Sequence, residues 1–267
     1  MHSIFDFVMQ HLFVPLFVPL LVLLVSGLIL WLWEVKQPFR KIEHWSIFIQ
    51  DLKELPIILF FIVVSAQIYA YISNWFFFPI VEIINHSWGW SLVTDLPLWF
   101  RLVVAILLKD VIAYVNHWLM HRNIIFWRTH KWHHFQKPMY WLKGNKNSLM
   151  AKIIAKWDFI AFPLLAIPVD ITFICVIAYS FFTFFVHTNI QWLPWMKTLE
   201  WILVTPRYHL VHHSSKVEHQ YKNLGDIFTF CDRIFGTYID PEVFERSQEE
   251  FGLDENESLT LRMVVGL

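Results

Sequence analysis

The feature that leaves this chain the fewest options is Leu12 to Trp33, a run of about 22 residues with no charge (LFVPLFVPLLVLLVSGLILWLW). A helix crossing a bilayer needs roughly 20 mostly apolar residues, and inside lipid the helix must pair its own backbone polar groups. The run therefore predicts a retained transmembrane helix. A cleaved signal peptide fits poorly, because no Lys or Arg precedes the run and no small-residue cleavage site follows Trp33. Pro15 and Pro19 fall near one end, where a helix start or kink tolerates them. Pro56 to Ile84 predicts a second span, with Trp75 and several Phe as an aromatic belt at one end. Pro97 to about Met120 predicts a third. Ile153 to Ile190 is apolar again, but Pro163, Pro168 and Asp170 interrupt it, which predicts two short helices in a hairpin. The expected fold is all-α: a polytopic membrane bundle of about three spans plus a helical hairpin, one domain over residues 1–267.

Composition points the same way. Of the 267 residues, 57% are hydrophobic and 16% charged, with a mean hydropathy of +0.47. Ordinary soluble domains carry about 25% charged residues. So apolar a chain is not disordered, and seven glycines exclude a collagen-like repeat. A net charge of −1 gives no global field to attract nucleic acid. The two cysteines, Cys175 in an apolar run and Cys231 in a polar tail, are too few for a disulfide framework or a zinc ribbon. No bridge between them is expected.

Lys and Arg in the loops set the expected orientation. The 34–54 loop carries Lys36, Arg40, Lys41 and Lys53, and the 121–156 loop carries eight more, from Arg122 to Lys156. The 81–100 loop has Glu82 and Asp95 and no basic residue. The N-terminus is therefore expected outside, both basic loops in the cytosol, and residues 191–267 as a cytosolic region. That region ends in acidic residues: Glu242, Glu245, Glu249, Glu250, Asp254, Glu255 and Glu257.

This topology brings nine of the 14 histidines to one membrane face. His117 and His121 are one helical turn apart and share a face. Asp110 and Tyr114 lie further back on nearly the same face. An Asp inside a span is costly without a partner, and a ligating imidazole usually donates its second N–H to a carboxylate or carbonyl. Asp110 is therefore expected to orient a ligating histidine. His130, His133 and His134 form an HxxHH pattern, expected on about one helix face. The pattern recurs at His209, His212 and His213, and between the two stands His187 with Asn189 close behind. Asn189 is a candidate to reach a metal through water. His2, His11, His44 and His86 stand alone and read as interfacial or solvated. His219 follows the last cluster and is the weaker candidate. Lys109 is expected to snorkel to the interface.

The count constrains the metal. A zinc takes three or four protein ligands, so nine imidazoles suit two metals with four or five nitrogens each. Imidazole suits zinc, copper, iron and nickel. Two irons can activate O2 against an unactivated C–H bond, which no side-chain base can attack. Soluble di-iron proteins use Glu-x-x-His motifs in four-helix bundles; an all-imidazole set leaves fewer charges to bury.

These motifs resemble the fatty acid hydroxylase/sterol desaturase superfamily of membrane di-iron enzymes. The resemblance rests on Asp110-x3-Tyr114-x2-His117-x3-His121, Trp127-x2-His130-x2-His133-His134, His187-x-Asn189 and the box His209, His212, His213. A terminal signature is similar at Asn223-Leu-Gly225 and at Cys231 to Tyr238 (CDRIFGTY), which includes Asp232. The histidine-box core covers about 103–240. Three positions depart from the family pattern: Trp118 stands for an Arg, Leu224 for an aromatic and Cys231 for a Trp. None is a ligand candidate.

The resemblance implies a helical bundle with a cytosolic histidine-rich metal cap. It implies two iron ions, replaceable by zinc on purification, held by His117, His121, His130, His133, His134, His187, His209, His212 and His213. Asp110, Tyr114, Asn189 and Asp232 would support those ligands. The implied reaction is O2-dependent hydroxylation or desaturation of a sterol, fatty acyl chain or related lipid. Electrons would come from cytochrome b5, ferredoxin or a reductase, since no flavin, haem or NAD fingerprint occurs. The alternatives are action on an aldehyde or ether lipid within the same superfamily, or a membrane zinc hydrolase. The hydrolase would need a general base as in HExxH, which is missing from the sequence. A transport protein would spread its histidines through the membrane depth.

Overall fold

The computed structural model describes residues 14–77, 79–80, 83, 91–247, 249–253 and 258–267. The first residues of the expected first span, the end of the second, His2, His11, His86 and the acidic residues Asp254, Glu255 and Glu257 lie outside the described residues. The described chain is helical, and it has isolated bridges such as Pro38–Ile190 but no strand.

Helix α1 (Val14–Lys36) covers the described part of the uncharged run and ends as the sequence turns polar. A short helix α2 (His44–Leu52) leads into α3 (Leu55–Ile72), which has Pro56 in its first turn and continues through a π-turn with exposed Trp75 and Phe76. Helix α4 (Leu98–Arg122) is followed after one residue by α5 (Ile124–His134). That residue, Asn123, breaks α4 and caps α5, its side-chain oxygen accepting the amides of Ile125 at 2.9 Å and Phe126 at 3.4 Å. The two helices pack on each other, which folds the first histidine box onto the second.

Three described stretches are long and apolar enough to cross a membrane: Pro19–Lys36, Leu55–Phe76 and Val169–Val186. The chain is thus that of an integral membrane protein, an all-α bundle. The spans differ from expectation in one respect. The third expected span exists as the 25-residue α4, which carries Arg101, Lys109 and Asp110 and is not among those three stretches. Its place there is taken by one arm of the expected hairpin. The first arm is broken, with α6 (Leu149–Ala155) running into short turns as far as Leu164. The second arm is a continuous helix, α7 (Val169–Val186).

Helix α4 still runs the depth of the bundle. Arg101 donates to the carbonyls of Leu165 (3.1 Å) and Ala166 (2.7 Å) at the hairpin turn, while His121 lies at the other end. About 20 residues of helix separate them, roughly 30 Å at 1.5 Å per residue, the thickness of a bilayer's hydrocarbon core. The two charges in the middle of α4, Lys109 and Asp110, face inward. Lys109 is 1% exposed, pairs with Asp226 and lies 3.5 Å from the ring centre of Tyr179. It does not snorkel to the interface, because a carboxylate partner is available inside. The opposite faces of the long helices expose Leu24, Leu28, Phe60, Val103 and Ile174, as a lipid-facing surface does.

Helices α1, α4 and α7 converge with one end each on the histidine layer. Glu34, in the last turn of α1, is fully buried and accepts the amides of Trp141 (2.8 Å) and Asn189 (2.7 Å). The cap is completed by α8 (Pro206–His212) and α9 (Phe230–Phe235). Thr205 caps α8 by accepting the amide of Tyr208, and Pro206 fits the first turn. Both cysteines are free, and Cys231 is packed beside Tyr114 and Leu224.

Candidate metal centre

All nine predicted histidines come together, in two groups. His117, His121, His130, His134 and His212 each offer one nitrogen, and these five atoms lie within 4.8 Å of one another. His133, His187, His209 and His213 form the second group by the same measure. The groups abut: the His134 and His213 rings stack with centroids 4.5 Å apart.

The doubled histidines divide between the groups. His133 and His213 go to the four-imidazole group, His134 and His212 to the five. At 3.6 residues per turn, adjacent side chains on a helix point about 100° apart, whereas i and i+4 converge. His130 and His134 therefore share one group and His209 and His213 the other, while each consecutive pair straddles both. His130, His133 and His134 do project from about one face, with ring centroids 4.8–5.8 Å apart, but that face serves both groups.

Four imidazoles have a defined tautomer. The Nδ1 atoms of His117, His133, His187 and His212 meet the carbonyls of Leu224 (2.9 Å), Lys146 (3.2 Å), Thr183 (2.7 Å) and Lys222 (3.1 Å). A carbonyl oxygen only accepts, so each Nδ1 carries the proton and each neutral ring keeps a lone pair on Nε2. Yet His117 Nε2 lies 3.0 Å from His212 Nε2, and His187 Nε2 lies 3.0 Å from His133 Nε2. Two lone pairs face each other in both groups, an arrangement that only a cation between them makes favourable.

That cation is not a proton. Burial foremost, then the neighbouring imidazoles, hold His130, His133, His134, His209, His212 and His213 well below the ordinary 6.5. Burial brings His187 down to about 4. Imidazoles bound at about 2.1 Å to one ion stand roughly 3 Å apart when adjacent, which matches the observed spacings. Further nitrogens, among them His121 Nε2 and both ring nitrogens of His134, are buried without a hydrogen-bond partner among the described residues. The donor set fits two metal ions.

Of the four expected supporting residues, Asp232 and Tyr114 stand behind a ligand and Asp110 and Asn189 do not. Asp232 is buried and accepts the amides of Leu224 (2.9 Å) and Gly225 (2.7 Å), the Tyr208 hydroxyl (2.9 Å) and the Thr237 hydroxyl (2.6 Å). It thereby fixes the peptide whose carbonyl receives His117. Tyr114 joins through Thr237, at 2.8 Å. Asp110 meets no imidazole; it accepts the amides of Ile227 (2.7 Å) and Phe228 (3.3 Å), the next stretch of the same loop. The Asn189 side chain is committed to Arg40, accepting its amide at 3.0 Å and donating to its carbonyl at 2.7 Å, and does not turn toward the metals. His219 stands apart, 2.7 Å from Glu249. His44 lies 3.8 Å from Glu34.

Sequence reasoning missed the main-chain acceptors. Lys222 and Leu224 aim their carbonyls at His212 and His117 around Asn223, which has φ of 52°. Asn tolerates that left-handed conformation, and its side chain is pinned to the backbone of Tyr208 and Ile239. The Asn223-Leu-Gly225 triplet was the available signal. Gly144 was also missed: a Cβ there would stand 2.9 Å from His187 Nδ1 and from the Thr183 carbonyl.

Comparison with known proteins follows this geometry. The sequence model described as Fatty acid hydroxylase matches residues 102–237, which contain all nine histidines. The chain is 28% identical to the alkylglycerol monooxygenase of Danio rerio over 65% of its length and 27% identical to that of Homo sapiens over 61%. It is 26% identical over 58% to the ornithine lipid hydroxylase OlsE of Rhizobium tropici. The matches span 36%, 37% and 46% of those relatives, so the chain spans less than half the length of the curated relatives it matches. No solved structure matches it.

Proposed function

The chain belongs to the fatty acid hydroxylase family, and from that premise we propose that it is a membrane di-iron oxidoreductase that hydroxylates or desaturates a lipid with O2. The observation that carries this reading is the pair of proton-free Nε2 contacts, one in each group, which calls for two cations in an all-imidazole setting. The nine histidines are the proposed ligands, five on one iron and four on the other. When bound, the irons supply the activation of O2 against an unreactive C–H bond.

The chain's own residues do the rest. The Leu224, Lys222, Lys146 and Thr183 carbonyls hold four imidazoles with Nε2 presented inward. Asp232 fixes the first of those carbonyls, with Tyr114 behind it through Thr237. Eight of the nine imidazoles are at most 6% exposed, which keeps water from the chamber and suppresses side reactions. The lipid enters sideways from the bilayer between the long helices, and its placement is mostly a matter of orientation. Electrons come from an external donor of the cytochrome b5, ferredoxin or reductase kind. The cap faces the cytosol, as the basic loops require. The names of the relatives, monooxygenases and hydroxylases of alkylglycerols and ornithine lipids, favour a glycerolipid or aminolipid over a sterol.

The test is elemental analysis and Mössbauer spectroscopy of the purified, iron-57-grown protein, joined to product analysis of lipids from cells with and without it. Close to two exchange-coupled irons per chain and an oxygenated or desaturated lipid are expected. One tightly held zinc after iron-supplemented growth, with no change in lipids, would overturn the reading.

A further inference from the structure

A pocket of about 440 Å³ lies outside the histidine chamber, between α2, the end of α5 and the segment that follows it. Among the described residues its charged lining is Asp51, Glu54, Lys137, Lys143 and Lys146, three ammonium groups against two carboxylates. Asp51 is saturated: it accepts the Tyr140 hydroxyl, Lys143 Nζ at 2.8 Å and Lys146 Nζ. Glu54 pairs with Lys146 at 2.8 Å. Lys143 therefore has N–H groups to spare, and Lys137 adds a third, exposed cation with its stem laid against Gly252. Burial first and the neighbouring Lys146 ammonium second push Lys143 down to about 8, with Asp51 opposing them. On the same wall the Trp132 indole N–H finds no acceptor among the described residues.

The depth of the pocket points to the kind of anion that such a lining would take. Glu54 is the residue immediately before α3, a membrane-crossing helix, so the pocket opens where lipid headgroups lie. Beside it, α2 turns Trp45 and Ile49 outward, 70% and 54% exposed, the pattern of a helix resting on an interface. Phe135, Leu253 and Leu259 add an apolar wall that a soluble anion would not need. We propose that this pocket binds the anionic headgroup of a membrane lipid, a phosphate or carboxylate, held by Lys137, Lys143 and Lys146. The site stands whatever carbon the histidine centre oxidises. It is nevertheless joined to that centre: Lys146 presents its ammonium to the pocket and its carbonyl to His133 Nδ1.

The test uses the full chain in detergent and three probes: dihexanoyl phosphatidate, inorganic phosphate and the uncharged dihexanoylglycerol. Binding is read by calorimetry and by protection of Lys137 from amine-reactive labelling, followed by mass spectrometry. Phosphatidate is expected to bind saturably and protect Lys137, with the other two much weaker. Lys137→Glu, an exposed and fold-neutral change, should weaken phosphatidate binding about tenfold, equal to roughly 1.4 kcal/mol. Lys143→Gln should weaken it further. Inorganic phosphate binding as well as phosphatidate would overturn the lipid source and leave a soluble-anion site. No saturable binding, or binding indifferent to both substitutions, would overturn the site itself.

Discussion

The five-imidazole and four-imidazole groups touch and divide both HxxHH boxes between them, with His117 and His121 added to one and His187 to the other, yet different parts of the chain hold them. The five-imidazole group leans on the loop at 222–225, through the Lys222 and Leu224 carbonyls, with Asp232 behind the loop. The four-imidazole group leans on the Lys146 carbonyl before the hairpin and the Thr183 carbonyl at its end, with Gly144 pressed against His187. One group thus depends on the C-terminal part of the cap, the other on the two ends of the membrane hairpin. A site of neutral ligands gains its order from outer acceptors that fix each ring's tautomer, and here the two sites receive those acceptors from segments with no residue in common.

If the two supports are independent, damage to one should spare the other. The largest effect is expected from ligand removal. His212→Ala and His133→Ala should each abolish lipid turnover and lower iron from about two to about one per chain, each emptying its own group. Elemental analysis of both variants checks this, and loss of both irons from either one would merge the groups into a single unit. Next comes Asp232→Asn, which weakens the grip on the Leu224 and Gly225 amides. Iron affinity should fall about 10- to 100-fold at the five-imidazole group only, measured by competition with a chelator. Equal loss at both groups would show that the 222–225 loop supports the whole cap. Gly144→Ala is the mirror test. Its new methyl meets His187 and the Thr183 carbonyl, an overpacking of about 1–3 kcal/mol, and should loosen the four-imidazole group while the other keeps its metal. The smallest difference between the groups is expected on acidification. Burial lowers His187 to about 4 and His212 well below 6.5, so the unfolded chain takes up protons that the folded chain refuses. Stability from these rings is intact above pH 6.5 and is lost as pH falls toward 4. Metal-free protein unfolded across that window should show one transition that does not separate the groups.

Much of this was legible in residue order. The run from Leu12, the HxxxH and HxxHH spacings and the polar end of α1 are local signals, and local signals follow from the helix repeat. The expected set of nine histidines and the division into four or five nitrogens per metal came from counting. Asp110 shows the limit of that method. A carboxylate on the histidine face was expected to find an imidazole, and instead it found two backbone amides some 117 positions later in the chain. Asn189 and Lys109 were misread for the same reason, since Arg40 and Asp226 are partners that no short spacing announces.

Residue order alone settled that the chain is helical and apolar enough for a membrane, and that its histidines gather at one end, because both follow from periods of a few residues. Which histidine joins which group, which carbonyls set the tautomers and which charges of α4 are neutralised were decided by tertiary structure. Those contacts join segments far apart in the chain, and a hydrogen bond is specified by where two groups meet in space. The doubled histidines show the division most directly: the helix repeat requires His133 and His134 to diverge, but only the packing of α8 against them assigns each ring its partners.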